Sequence, residues 1–292
     1  MSKSEVIFHL PGAFNFFPGI RDLGLLYQQQ PHYFREGVKI GSVHGSPFCI
    51  WNGGRFTNNF MTKQHLEVVC KEMERVNIPI RFTFTNCLLE EHHVYDAWGN
   101  TILKEFSNGC NEILCNSEIL ENYIRNKYGD KYQYISSTTK RFTSKNKQNE
   151  ELKKDYSLVV LDYDFNKNFK YLETIENKEK CEILCNPVCK PKCSRRLEHY
   201  KAVSYCQLEN TTSDFSCEEC TKPFWQVQQN KNFISIDDIY NIYVPMGFSN
   251  FKLEGRNTSA FDWVEIIVYY LIKDEYHLEI RDFLQKALLG SE

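Results

Sequence analysis

Glu112-Ile-Leu-Cys-Asn-Ser117-Glu-Ile-Leu-Glu-Asn-Tyr-Ile-Arg-Asn-Lys-Tyr128-Gly129 holds one complete folding unit. The short apolar run Glu112–Asn116 reads as a buried strand. Ser117 then suits a helix N-cap, because its hydroxyl can accept from a backbone N–H that the first turn leaves unpaired. The helix runs through Tyr128 and stops at Gly129, where glycine takes the left-handed conformation that ends helices. Strand, cap, helix and stop together predict a βα unit.

The same alternation extends in both directions. Toward the N-terminus, Val6–Pro11 reads as the first strand, Pro18–Gln30 as a helix and Val38–His44 as the second strand. Thr62 caps an amphipathic helix carrying Leu66, Val69 and Met73 on one face, and Ile78–Thr85 is the third strand. Toward the C-terminus, Tyr132–Ser136 is the fifth strand and Ser157–Leu161 the sixth, with a helix around Phe169–Ile175. Glu182–Asn186 repeats the pentapeptide of the fourth strand and reads as the seventh. Phe251–Glu254 is the eighth, and one or two amphipathic helices close the chain from about Ser259 to Leu289. Eight strands alternating with helices predict an α/β fold, a (β/α)₈ TIM-type barrel, as one domain over residues 1–292. Such barrels take about 250 residues, and this chain has 292. No Gly-x-Gly-x-x-Gly or Walker loop follows a strand, which argues against an open nucleotide-binding sheet.

Composition narrows the function classes. A net charge of −3 and a pI near 6.3 give no whole-chain basic footprint for nucleic acid. The N-terminus lacks a secretory pattern, and no apolar stretch reaches the roughly 20 residues of a membrane span. The longest, Trp263–Ile272, is interrupted by Glu265. The expected location is the cytoplasm. Twelve cysteines in a reducing compartment point to metal or redox chemistry where they cluster. Cys49, Cys70, Cys87, Cys110 and Cys115 are scattered and read as small core residues.

The cluster lies in residues 186–244, a cysteine-rich insert after the seventh strand, too long for an ordinary βα loop. Cys181 and Cys185 precede it, and within it Cys189 and Cys193 lead into Cys206, Cys217 and Cys220. Pro187 and Pro191 keep the first part in turns, so thiolates at short spacing can face one centre. Cys189, Cys193, Cys217 and Cys220 form the simplest four-thiolate set, with Cys206 as an alternate. Four thiolates suit a 4Fe-4S cluster or tetrahedral zinc, and spacing leaves both open. Lys190, Lys192, Arg195 and Arg196 would lower neighbouring thiol pKa values, or form a solvated charge run.

The run Asn186-Pro-Val-Cys189-Lys-Pro-Lys-Cys193-Ser-Arg-Arg-Leu-Glu-His199-Tyr200 resembles shorter members of the collagenase-like peptidase family, peptidase family U thirty-two. Gly255-Arg256 after the last strand, Gly53-Gly54-Arg55 before the amphipathic helix, and Asn86 at the end of the third strand fit the same pattern. The resemblance implies a (β/α)₈ barrel with a four-cysteine iron–sulfur cluster and oxygen-independent hydroxylation of an RNA base or small molecule. Peptidase activity is the family's older label. The longer peptidase-type signature, with a second Gly-x-Cys, is absent, and Cys185 stands where the family has an apolar residue.

The remaining candidates are strand-end residues, which in a barrel gather at the active face. His44 and His9 would point into the mouth. His44, Asp162 and His199 are the catalytic candidates, with Asp164 beside Asp162 as a second carboxylate. His92-His93 reads as a metal or base pair, or as a solvated loop. Arg55 and Arg256 are anion anchors, or else structural arginines paired with an acid such as Glu254. Asn86, Asn116 and Asn186 would add neutral hydrogen bonds. The expected ligand is a small anionic or carboxylate molecule, with RNA or a partner protein as further partners and no membrane. The alternatives to an iron–sulfur enzyme are a metal-dependent or thiol peptidase and a non-catalytic subunit holding structural zinc.

Overall fold

The computed structural model describes residues 5–217, 219 and 222–290. Its strands are β1 Val6–Pro11, β2 Val38–Gly45, β3 Ile80–Phe84, β4 Glu112–Cys115, β5 Gln133–Ser136, β6 Leu158–Val160, β7 Cys181–Leu184 and β8 Asn250–Lys252. All pair in parallel and in chain order, and β8 closes on β1. The fold is a (β/α)₈ TIM-type barrel. The helices are α1 Phe17–Gln29, α2 Lys63–Arg75, α3 Ala97–Glu105, α4 Glu118–Tyr128, α5 Lys145–Leu152, α6 Phe169–Leu172, α7 Arg196–Glu209, α8 Phe224–Val227, α9 Ile236–Asp238, α10 Ala260–Leu271 and α11 His277–Leu289. Thr62 and Ser117 cap α2 and α4 through the N–H groups of His65 and Leu120. No helix among the described residues is long and apolar enough to cross a membrane.

The sequence reading placed no helix at α3, α5 or α7, and the last two show why. The polar segment 145–152 forms α5, although it carries no apolar stripe. Its buried face is Gln148 and Glu151 with Leu152, tied to the barrel by Gln148 Oε1 accepting from Asp162 N at 3.0 Å and Glu151 accepting from Ser136 at 2.6 Å. Nor is the cysteine-rich stretch irregular throughout. It contains α7, whose buried residues are mostly polar: Arg196, His199, Ser204, Cys206 and Gln207. Hydrophobic periodicity registers neither helix because their buried faces are mainly polar and hydrogen-bonded.

Period-two alternation divides the strands into two faces. Phe8, Leu10, Ile80, Phe82, Phe84, Ile183, Phe251 and Leu253 join the large apolar core with the surrounding helices. Inside the barrel, β4, β5 and β6 supply a separate apolar cluster, Leu114, Ile135 and Val160. The other strands place polar groups inside. Arg81 on β3 donates from Nε to Glu112 at 2.5 Å and from Nη1 to both oxygens of Glu182 at 2.6 Å. Its Nη2 reaches His9 Nδ1 at 3.0 Å. Arg81 and Glu182 are fully buried. Burial opposes the charge on Arg81, but Glu112 and Glu182 outweigh it and raise its pKa. Burial alone would raise Glu182; Arg81 brings it down to about 2. These groups close the barrel below its mouth. His9 belongs to this plug, against the expectation that it would face the mouth. Ser42, Asn250 and Arg81 occupy its ring nitrogens.

Candidate functional site

Above the plug, the C-terminal strand ends enclose a cavity of about 740 Å³, including its open mouth. Its wall brings together His44, Arg55, Arg256, His199 and Cys189, all singled out in the sequence, with Tyr163, Tyr200, Lys252 and Glu254. Thr83, Thr85, Ser137, Thr138 and Thr139 add hydroxyls, and Leu114, Val160 and Leu184 an apolar side.

Two glycines position the first arginine. A Cβ on Gly53 would stand 2.4 Å from Thr85 O, and Gly54 has φ +71°. The loop can therefore lie against the end of β3 and turn sharply into Arg55. Arg55 Nε donates to Glu254 Oε1 at 3.0 Å, so the strand-end pairing left open by the sequence is the one formed. Glu254 also accepts from Val188 N at 3.0 Å, which ties the acid to the cysteine loop. Arg256 donates to Thr83 Oγ1 and, at 3.4 Å, to Gly53 O. Burial, and then the charge of Arg55, lower its pKa to about 10.

His44 Nε2 lies 2.8 Å from Leu253 O and so donates to it. Burial, then Lys252 and Arg256, hold this imidazole neutral. Burial and Arg55 likewise lower His199 to about 4, and its ring lies tilted beside that of Phe215, with centroids 5.2 Å apart. Lys252 is the residue sequence reasoning missed. Burial takes its pKa down to about 7 against the raising effect of Glu182. A lysine in a short strand reads as surface; only the inward register of Lys252 and Glu254, opposite to Phe251 and Leu253, could have revealed it.

Other candidates serve the scaffold. Asp162 is buried and paired with Arg196, Nη1 to Oδ1 at 3.0 Å. Asp164 accepts from Lys192 N at 2.7 Å, where Lys192 takes the left-handed φ of 53°. Both carboxylates thus pin the cysteine loop and the start of α7. Asn186 clamps the ends of β7 and β8, accepting from Glu254 N at 2.7 Å and donating to Glu254 O at 2.8 Å. Asn86 donates to Ile50 O and Ser204 O at 2.8 and 3.0 Å, and Asn116 donates to Thr139 at 3.0 Å. None of the three asparagines lines the cavity. His92 and His93 sit in a short turn away from it, where His93 Nδ1 accepts from Glu90 N at 2.9 Å.

All described cysteines are free thiols. Cys189 lines the cavity and is close enough to Cys193 for their charges to interact; Tyr163 hydrogen-bonds to it. Burial pushes the Cys189 thiol up to about 12, opposite to the lowering expected from nearby bases. Arg196 is drawn off by Asp162, and Arg195 is held by Glu198 and by Ser216 O at 3.2 Å. That last contact brings Cys217 beside Arg195, where Cys193 also acts. Cys206 is buried in α7, and Cys220 lies outside the described residues. No group of three or more Cys, His, Asp or Glu close enough to hold a metal ion occurs among the described residues. Cys189, Cys193 and Cys217 supply the donor type that a thiolate-held centre needs, and Asn230 and Asn232 fix the loop through Pro187 O, Val188 O and Cys189 O.

The barrel is similar to that of the U32 peptidase Mk0906. That solved structure matches 87% of this chain and 94% of its own, with a TM-score of 0.53 and 9% sequence identity. At that identity the likeness to Mk0906 is one of fold. No protein-family model matches the sequence, and no curated protein does.

Proposed function

We propose that the chain is an iron–sulfur enzyme that modifies a small carboxylate-bearing molecule, or a single RNA base, at the mouth of the barrel. The observation that carries this reading is that Cys189 shares one cavity wall with Arg256, Lys252 and His44. Cys189, Cys193, Cys217 and Cys220 would hold the cluster, with Cys206 as the alternate. A 4Fe-4S cluster supplies one-electron transfer when bound. Arg256 would orient the substrate's carboxylate, and the Arg55–Glu254 pair would fix the rim between that group and the cysteine loop. His44 would accept a proton at Nδ1, and the Tyr163 and Tyr200 hydroxyls would position neutral polar groups. The resemblance in the sequence puts oxygen-independent hydroxylation first among the reactions. Free thiols suit a reducing cytoplasm.

The likeness of fold to a U32 peptidase keeps peptide hydrolysis as a second reading. A thiol peptidase needs a base on its nucleophile, whereas the hydrogen-bond partner of Cys189 is the Tyr163 hydroxyl. Anaerobic purification with iron, sulfide and zinc analysis separates the readings. A brown protein whose iron is lost in both Cys189→Ser and Cys193→Ser supports the cluster. A colourless protein with zinc supports the structural subunit. Peptide hydrolysis by metal-free protein supports the peptidase.

A further inference from the structure

Lys252 Nζ and His44 Nδ1 are buried and have no hydrogen-bond partner among the described residues. Both residues line the cavity, and the His44 ring is anchored to Leu253 O, next to Lys252 in the chain. The two unsatisfied atoms have opposite needs. Lys252 Nζ is a donor. Its nearest acid, Glu182 Oε1 at 3.6 Å, is beyond hydrogen-bond range and already accepts from Arg81 at 2.6 Å. His44 Nδ1 is an acceptor, because Nε2 carries the proton given to Leu253 O. A buried polar group without a partner is costly, so a ligand that satisfies both atoms gains more than one that satisfies either. Arg256 stands on the same wall with two of its N–H groups held by Thr83 and Gly53. It adds a second donor to the side where Lys252 lies.

We infer that His44, Lys252 and Arg256 form a receptor for a carboxylate with a hydroxyl on the adjacent carbon. The carboxylate accepts from Lys252 and Arg256; the hydroxyl donates to His44 Nδ1. An adjacent ammonium is disfavoured, since two cations face the same space. Leu114, Val160 and Leu184 accommodate an apolar substituent on that carbon. The inference rests on the reading of the mouth as the substrate site and narrows its ligand to 2-hydroxycarboxylates.

Calorimetric titration of the full chain at pH 7 with mandelate, phenylacetate, mandelamide and inorganic phosphate tests it. Mandelate should bind at least about tenfold more tightly than each of the others. Lys252→Met, checked for fold by circular dichroism, should diminish the preference for mandelate over mandelamide, with Arg256 left as the second donor. Equal affinity for mandelate and phenylacetate overturns the hydroxyl receptor while leaving a carboxylate site in place. Binding of neither carboxylate overturns both the receptor and the substrate site. Phosphate binding as tight as mandelate, or undiminished mandelate preference in Lys252→Met, overturns the assignment of these residues.

Discussion

Arg256 and Lys252 present two kinds of cation on one wall, and they should respond differently to substitution. Arg256 contributes charge-assisted hydrogen bonds, each worth roughly 1.5–3 kcal/mol. Arg256→Ala should weaken mandelate binding by at least about tenfold with little change in melting temperature. Arg256→Lys should restore it only in part, because the guanidinium fork is lost. A large fall in melting temperature with unchanged affinity would make Arg256 a scaffold residue instead. Lys252, lowered to about 7, has the opposite bearing on stability. Between about pH 7 and the ordinary lysine pKa near 10.4, the unfolded chain binds more protons at this position than the folded chain. Its contribution to stability therefore rises with pH across that window and is least favourable at or below pH 7. Lys252→Met should raise the melting temperature at pH 7 by a few degrees and flatten the slope between pH 7 and 10; an unchanged slope would refute this. The sequence revealed Arg256, which follows a glycine at a strand end. It concealed Lys252, whose significance depends on which face of β8 it occupies.

At the level of elements, the cysteine loop and α7 are held by buried polar contacts. Arg196 and Asp162 are both almost fully buried, at 2% and 1% side-chain exposure, so removing one leaves the other uncompensated. Asp162→Ala should cost about 3–5 kcal/mol, read as a fall in the urea midpoint. A loss under about 1 kcal/mol would mean that Arg196 finds another partner. Paired carboxylates at i and i+2 looked like an acid–base couple because sequence carries no information about what approaches them from a segment 28 to 34 residues away. Strands and capped helices were legible for the reverse reason: Thr62 and Ser117 act on residues three positions ahead. Helices α5 and α7 were not legible, since their inner faces are read by hydrogen-bond partners rather than by apolar period.

Across the whole molecule, the barrel interior joins an apolar cluster to an ionic plug, and pH should report on the plug. Glu182, held near 2 by Arg81, contributes stability that is complete above its unfolded pKa of about 4.3. That contribution is lost as pH falls toward 2. Glu182→Gln should therefore be less stable at neutral pH and lose part of the acid slope between about pH 4.5 and 2; an identical slope would exclude Glu182 as its source. The closed eight-strand order was legible from alternation alone, but the plug was not, since a lone Arg81 in Ile80–Phe84 gives no sign of which acids it meets.

That plug also bears on how the chain can change over generations. Arg81 contacts His9, Glu112 and Glu182 from three other strands, so a change at one of these positions is felt at the others. A single replacement strands a buried charge, whereas joint replacement by apolar residues of similar volume can be neutral or better. Divergent descendants should keep all of Arg81, Glu112 and Glu182 or none. Intermediates would be scarce, whereas Ile135, in the apolar cluster but not on the cavity wall, would vary among aliphatic residues.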